Sequence, residues 1–283
     1  MNLARRRITI QSTIRLLEGH RGYGKHRPYN SLQAINTALK NPRLSSIELD
    51  VRMTKDGVLC VTHGVEEDDD VKADQTSNLP VIENLYWNEV KDLPVGTFSE
   101  KKQSSGQECI PSLEHVFKHL QENGSTLGLN LDLKTNAPSE SDIGAEISKF
   151  LQNHSHPEEL RLSSFHEKQL VEVQKRTAKF PVGKVLDVED LRLNTLESSD
   201  LKFRAGMDWL HLPAEGDDPQ GLFVRDLIKR CHKKDIKTMV WFPVNDGESG
   251  EQLETWPYLM ELQGLGVHRL CVNDLFHSEN QLD

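Results

Sequence analysis

About eight short apolar runs, each followed by a segment of helix length, recur from residue 14 to near the C-terminus, and this alternation narrows the possible folds more than anything else. The runs are Ile14 to Glu18, the stretch around Glu48, Thr126 to Lys134, Leu160 to Phe165, Val182 to Leu186, Trp209 to Leu212, Thr238 to Val244 and Val267 to Val272. Helices are expected over Ser31 to Lys40, where Leu32, Ile35 and Leu39 share a side, and over Ser112 to Glu122 behind Pro111. Strand-then-helix repeated eightfold matches a closed (β/α)8 barrel of the TIM type, an α/β fold, better than an open doubly wound sheet. A chain of 283 residues is long for one ordinary domain but normal for such a barrel, so a single barrel domain is expected over 14–283 after a short basic tail at 1–13.

Inside that pattern, polar residues fall where a barrel concentrates chemistry. Glu48 and Asp50 are two apart in an apolar run, so in a strand both carboxylates leave one face while Ile47, Leu49 and Val51 leave the other. Neighbouring buried acids repel and lose hydration, so such a pair needs a proton or a cation between its members. A Lys55-Asp56-Gly57 turn and the run Val58 to Val61 then bring His63 to the end of an added hairpin strand. In Leu129-Asn130-Leu131-Asp132-Leu133-Lys134, alternation puts Asn130, Asp132 and Lys134 on one face. His20 and Arg21 close the first strand. Three carboxylates from two strands form an oxygen-rich set suited to one divalent cation, Mg²⁺ or Ca²⁺, rather than zinc. Metal, Arg21 and Lys134 together could neutralise a phosphoryl group, and two histidines could exchange protons with the entering and leaving oxygens, in an order the sequence leaves open. Taken alone, the same strand also reads as an ordinary one with solvated acids. Trp241, at a strand end, either lines a substrate mouth or fills a core; His115 and His119, four apart with no acid beside them, read as a solvated helix face, as do the loop residues His154 and His156.

Charge and hydropathy set limits on partners. With 34 basic against 44 acidic residues the net charge is -10, which disfavours nucleic acid and means that an anionic substrate, here expected to be a small molecule, would need local positive groups or a metal. No run reaches the ~20 apolar residues of a membrane span, so no integral membrane segment is expected. Cys60, Cys109, Cys231 and Cys271 are widely spaced without a CxxC pair, favouring a reducing, cytoplasmic setting over a disulfide framework. The basic start, with Arg5, Arg6, Arg7 and Arg15 and no acid in 17 residues, offers a mitochondrial alternative. Glu66 to Asp74 reads as an acidic solvated loop, and nothing in the sequence fixes an oligomeric state.

The ordered set His20-Arg21-Gly22, Glu48-Leu49-Asp50, Thr54-Lys55-Asp56-Gly57, His63 and Asp132-Leu133-Lys134 resembles the glycerophosphodiester phosphodiesterase family. Ile110 to Glu114, Ser163-Ser164-Phe165 and Val240-Trp241 resemble its later landmarks, so the likeness runs from about Leu17 to the C-terminus. The resemblance implies a TIM-type barrel with one divalent cation held by Glu48, Asp50 and Asp132, and His20 and His63 as the acid/base pair. It places Arg21 and Lys134 on the phosphate and Trp241 beside the substrate. The implied reaction is metal-dependent hydrolysis of a glycerophosphodiester to glycerol 3-phosphate and an alcohol, a step of glycerophospholipid catabolism. Lysophospholipase D action on lysophospholipids and an inactive barrel that binds a phosphodiester or a protein are the alternatives. Three departures stand out: Pro28-Tyr29-Asn30-Ser31 replaces the usual Pro-Glu-Asn-Thr, Gly64 replaces the Asp after the second histidine, and Asp132 replaces the commoner Glu. His63-Gly64 and Asp132-Leu133-Lys134 also resemble the sphingomyelinase D and phospholipase D toxins, but no cysteine lies between Cys60 and Cys109 to close their disulfide-bonded loop.

Overall fold

A computed structural model describes residues 16–24, 28–64, 80–95, 108–136, 142–187, 189–191, 206–214, 222–242 and 256–273. The expected basic tail at 1–13 and the acidic loop at 66–74 lie outside these residues. Eight parallel strands form a closed barrel: β1 (Leu17–Gly19), β2 (Leu44–Met53), β4 (Gly128–Leu133), β5 (Leu160–Ser164), β6 (Val182–Val185), β7 (Trp209–Pro213), β8 (Lys237–Trp241) and β9 (Arg269–Val272). Pairing of β1 with both β2 and β9 closes the ring. A short strand, β3 (Leu59–Val61), adds antiparallel to β2 outside the cycle. Helices α1 (Leu32–Leu39), α2 (Trp87–Val90), α3 (Leu113–Glu122), α4 (Ile143–Asn153), α5 (Glu167–Arg176), α6 (Leu222–Lys233) and α7 (Trp256–Gly264) fall between strands. The chain is thus a TIM-type barrel.

Local chemistry explains the boundaries. Ser31 accepts from the Ala34 N–H at 3.0 Å and Ser112 from the His115 N–H at 3.1 Å, so both serines cap their helices from outside rather than lie within them. Helix α3 buries Leu113, Val116, Phe117 and Leu120, one face at the helical period, against the barrel. On β2 the period is two: Ile47, Leu49 and Val51 are fully buried toward the helices, while Glu48, Asp50 and Arg52 turn the other way. Register places Asp50 opposite Asp132 and Glu48 opposite Asn130.

Toward the strands' N-terminal ends the barrel interior holds a buried ionic cluster rather than apolar layers. Glu18 accepts from Ser46 Oγ at 2.6 Å and Asn130 Nδ2 at 3.4 Å and pairs with Arg161, whose guanidinium lies 4.8 Å from the Trp209 ring. Both charges are almost fully buried. Removing Arg161 leaves the buried Glu18 carboxylate with only the neutral donors Ser46 and Asn130. Arg161→Met should therefore lower unfolding free energy by about 3–5 kcal/mol in chemical denaturation, and adding Glu18→Gln should recover most of that loss. A single-variant loss below about 1 kcal/mol would contradict the pairing.

Candidate active site

The turn after β1 starts the site. Arg21 takes φ 52°, an uncommon left-handed conformation for a large side chain, and its N–H donates to Glu48 Oε2 at 2.8 Å. Gly22 N–H donates to the Glu48 carbonyl at 2.9 Å, and a Cβ on Gly22 would sit 2.7 Å from Ala34 Cβ, so the turn lies flush against α1. The backbone that presents His20 and Arg21 is thereby fastened to the strand that presents the acids.

Glu48, Asp50 and Asp132 each offer a carboxylate oxygen, and these oxygens lie within 4.8 Å of one another. Asp50 bonds reciprocally with Asn30, Nδ2 to Oδ2 at 2.8 Å and Asp50 N–H to Asn30 Oδ1 at 3.1 Å. Arg21 Nε stands 3.0 Å from Asp50 Oδ2, and Lys134 Nζ lies 2.9 Å from Asp132 Oδ2 and 3.7 Å from Asp50 Oδ1. Ser163 Oγ donates to Asp132 Oδ1 at 3.1 Å. Glu48 Oε1 is buried with no hydrogen-bond partner among the described residues.

Electrostatics separate the two acids of β2. Burial, then the charges of Asp50 and Asp132, push the Glu48 carboxyl well above the usual range, against the pull of the Arg21 backbone and guanidinium. Burial acts on Asp50 in the same direction, but Arg21, His63, Lys134 and the Asn30 hydrogen bond outweigh it and hold Asp50 below the usual carboxylate range. One acid is therefore ready to ionise as soon as a cation arrives. An orphaned oxygen, three convergent hard donors and a like-charge cost carried by Glu48 fit a divalent ion, and these residues can hold one.

Both histidines reach the same cavity of about 210 Å³, together with Phe165, Met239 and Trp241. His20 Nδ1 lies 2.8 Å from Asn273 Oδ1, and Asn273 Nδ2 donates to the Phe242 carbonyl at 3.0 Å, which leaves the amide oxygen as acceptor. His20 Nδ1 therefore carries the hydrogen, which leaves Nε2, 3.8 Å from Glu48 Oε2, as the acceptor nitrogen of the ring. Burial, followed by Arg21 and Lys134, pushes the imidazole down to about 3, so it is neutral near pH 7. His63 lies two residues past the end of β3, with Nδ1 3.2 Å from the Gly64 carbonyl. Trp241 is half-buried on the cavity wall, with its ring centroid 6.4 Å from that of His20 and 6.3 Å from that of Phe165, and it also packs against Trp209, Met239 and Cys271. Phe165 also lies under Lys134, with Nζ 4.5 Å from the ring centroid.

The eight residues singled out in the sequence thus surround one cavity. Sequence reasoning assigned no role to the residues that contact them: Asn30 on Asp50 and Phe165 under Lys134, both named there only within motifs, and Asn273 on His20, which no motif marks. Tyr29, standing where the resemblance expects an acid, puts its ring 5.8 Å from the Arg21 guanidinium. His115 is exposed while His119 Nε2 pairs with Asn36 at 2.8 Å, so the two histidines of α3 do not converge on a common ligand. His154 stacks on Phe150 and His156 meets Phe180 edge-on. No helix among the described residues is long and apolar enough to cross a membrane.

The profile of the Glycerophosphoryl diester phosphodiesterase family matches residues 20–275. A glycerophosphodiester phosphodiesterase of Caldanaerobacter subterraneus subsp. tengcongensis is 29% identical over 170 residues, which are 59% of this chain and 65% of that protein. Another, from Bacillus altitudinis, is 30% identical over 148 residues, 52% of this chain and 56% of that protein. The chain spans less than two-thirds of the length of these curated relatives. Among solved structures, an Oleispira antarctica phosphodiesterase in complex with the product sn-glycerol-3-phosphate superposes with a TM-score of 0.66 at 22% identity, covering 92% of this chain and 94% of that one. That likeness is one of fold. With the profile match running through all eight site residues, this chain belongs to the glycerophosphoryl diester phosphodiesterase family.

Proposed function

We propose that the chain hydrolyses glycerophosphodiesters to glycerol 3-phosphate and an alcohol with the help of one divalent cation. The observation that carries this reading is the convergence of three carboxylates, two imidazoles and two side-chain cations on one cavity in a member of this family. Glu48, Asp50 and Asp132 would hold the cation, Mg²⁺ or Ca²⁺ by the hardness of the donors, and when bound it supplies Lewis-acid stabilisation of the phosphoryl oxygens. Arg21 and Lys134, already at the carboxylates, would share their charge with the substrate phosphate. Trp241 and Phe165 would wall the alcohol side.

Proton transfer divides between the histidines according to what holds each ring. Neutral His20, fixed by Asn273 with Nε2 free, is the acceptor for the proton of the attacking hydroxyl, from water or from the substrate itself. His63, the second imidazole on the cavity, would then protonate the departing alkoxide. A new P–O bond forms as the bond to the alcohol breaks; where water attacks, the product is glycerol 3-phosphate directly, and where the substrate's own hydroxyl attacks, water then opens the resulting cyclic phosphate with the two histidines in reversed roles. The lysophospholipid alternative is separated by assaying both substrate classes side by side. An inert barrel is separated by any metal-dependent turnover at all.

Two outcomes check the reading. Chelation should abolish release of glycerol 3-phosphate from glycerophosphocholine, and Mg²⁺ or Ca²⁺ should restore it; undiminished turnover in excess chelator would contradict the role of the ion. His20→Ala and His63→Ala should each lower kcat by about 10²–10⁴-fold with little change in KM, measured at saturating metal. Normal turnover by either variant would remove that histidine from the mechanism.

A further inference from the structure

Arg52 is fully buried, points to the same side of β2 as Glu48 and Asp50, and lies outside the catalytic cavity. Burying a guanidinium is expensive unless its partners are fixed, so the identity of those partners is informative. Arg52 Nε donates to the backbone carbonyl of His63 itself, and Nη1 meets Glu83 Oε1 at 2.6 Å. The same Glu83 oxygen accepts from the Asn136 N–H at 3.3 Å, two residues beyond Lys134. A single carboxylate therefore ties the segment after β4 and, through Arg52, the segment that carries His63.

Two further features make this arrangement rigid. Glu83 sits in a 3-10 turn, Ile82–Asn84, whose Ile82 packs with Cys60, Val90, Val95 and Ile110 in a small core separate from the barrel's own. Gly64 has φ +69°, and a Cβ there would lie 2.5 Å from Arg52 Nε and 2.8 Å from Cδ. Glycine after His63, a departure from the family pattern, is thus what lets the chain close over the guanidinium.

We propose that the Arg52–Glu83 pair is a positioning device for the reaction: it sets where the His63 imidazole stands relative to Arg21 and Lys134 without touching substrate. This rests on the reading of His63 as a proton-transfer residue. A group that fixes a donor in place affects the transition state more than substrate binding, because misplacement of about 1 Å costs up to ~10²-fold in rate. Merely structural burial would instead lower stability and leave turnover per folded molecule unchanged.

The test measures kcat and KM on glycerophosphocholine at saturating metal, with unfolding midpoints in parallel, for Arg52→Gln, Glu83→Gln, His63→Ala and Arg52→Gln combined with His63→Ala. We expect Arg52→Gln and Glu83→Gln to lower kcat by about tenfold or more with KM held within about threefold. Added to His63→Ala, Arg52→Gln should change kcat by less than about twofold, since the ring it positions is gone. A folded Arg52→Gln or Glu83→Gln protein with near-parental kcat overturns the proposal, as does a loss that adds in full to that of His63→Ala. Should Arg52→Gln fail to fold, Glu83→Gln, which keeps shape and removes only charge, decides alone. A fully active His63→Ala enzyme would sink the catalytic reading as well; an impaired His63→Ala beside unaffected Arg52→Gln sinks the positioning claim only.

Discussion

Three carboxylates held within 4.8 Å of one another in a buried barrel mouth are the constraint to which the rest of this structure answers. Such a group repels itself, and burial removes the water that would screen it. The protein resolves the conflict unevenly. Asp50 receives Arg21, Lys134 and Asn30 and stays ionised, whereas Glu48 keeps one oxygen unpartnered and a raised pKa. That asymmetry is a standing demand for positive charge, which a divalent cation can meet.

Around the acids, neutral amides do much of the orienting. Asn30, itself in a left-handed conformation at φ 61°, clasps both the carboxylate and the backbone of Asp50, and Asn273 selects the tautomer of His20. Neither brings charge into a site already crowded with it. Neutral orienters hold geometry without shifting the balance among acids and bases. Tyr29 fits this pattern: an aromatic face beside Arg21, where an acid would have competed with Asp50 for the guanidinium, leaves that cation directed at the strand carboxylate.

Much of this was legible in the chain because both elements and function follow short periods. Alternation within Ile47 to Val51 and within Leu129 to Lys134 suffices to turn the acids inward, and barrel geometry sends strand ends to one rim. Boundaries were less legible: Thr126, Leu186 and Val267 are apolar or β-prone yet lie outside their strands, since sheet pairing and not composition ends a strand. Contacts across great sequence distance were not legible at all. Asn273 is 253 residues from His20, and Glu83 is 31 from Arg52; no local pattern marks either partnership. The clash that requires Gly64 is equally invisible until Arg52 is seen folded beneath it.

Whether Glu48, Asp50 and Asp132 act together as one cation site is decided by calorimetric titration of Mg²⁺ or Ca²⁺ into metal-stripped protein. One ion should bind per chain, with binding lost in Glu48→Gln and in Asp132→Asn proteins that remain folded. Undiminished binding by those variants, or no binding by the parent protein, would contradict a shared site.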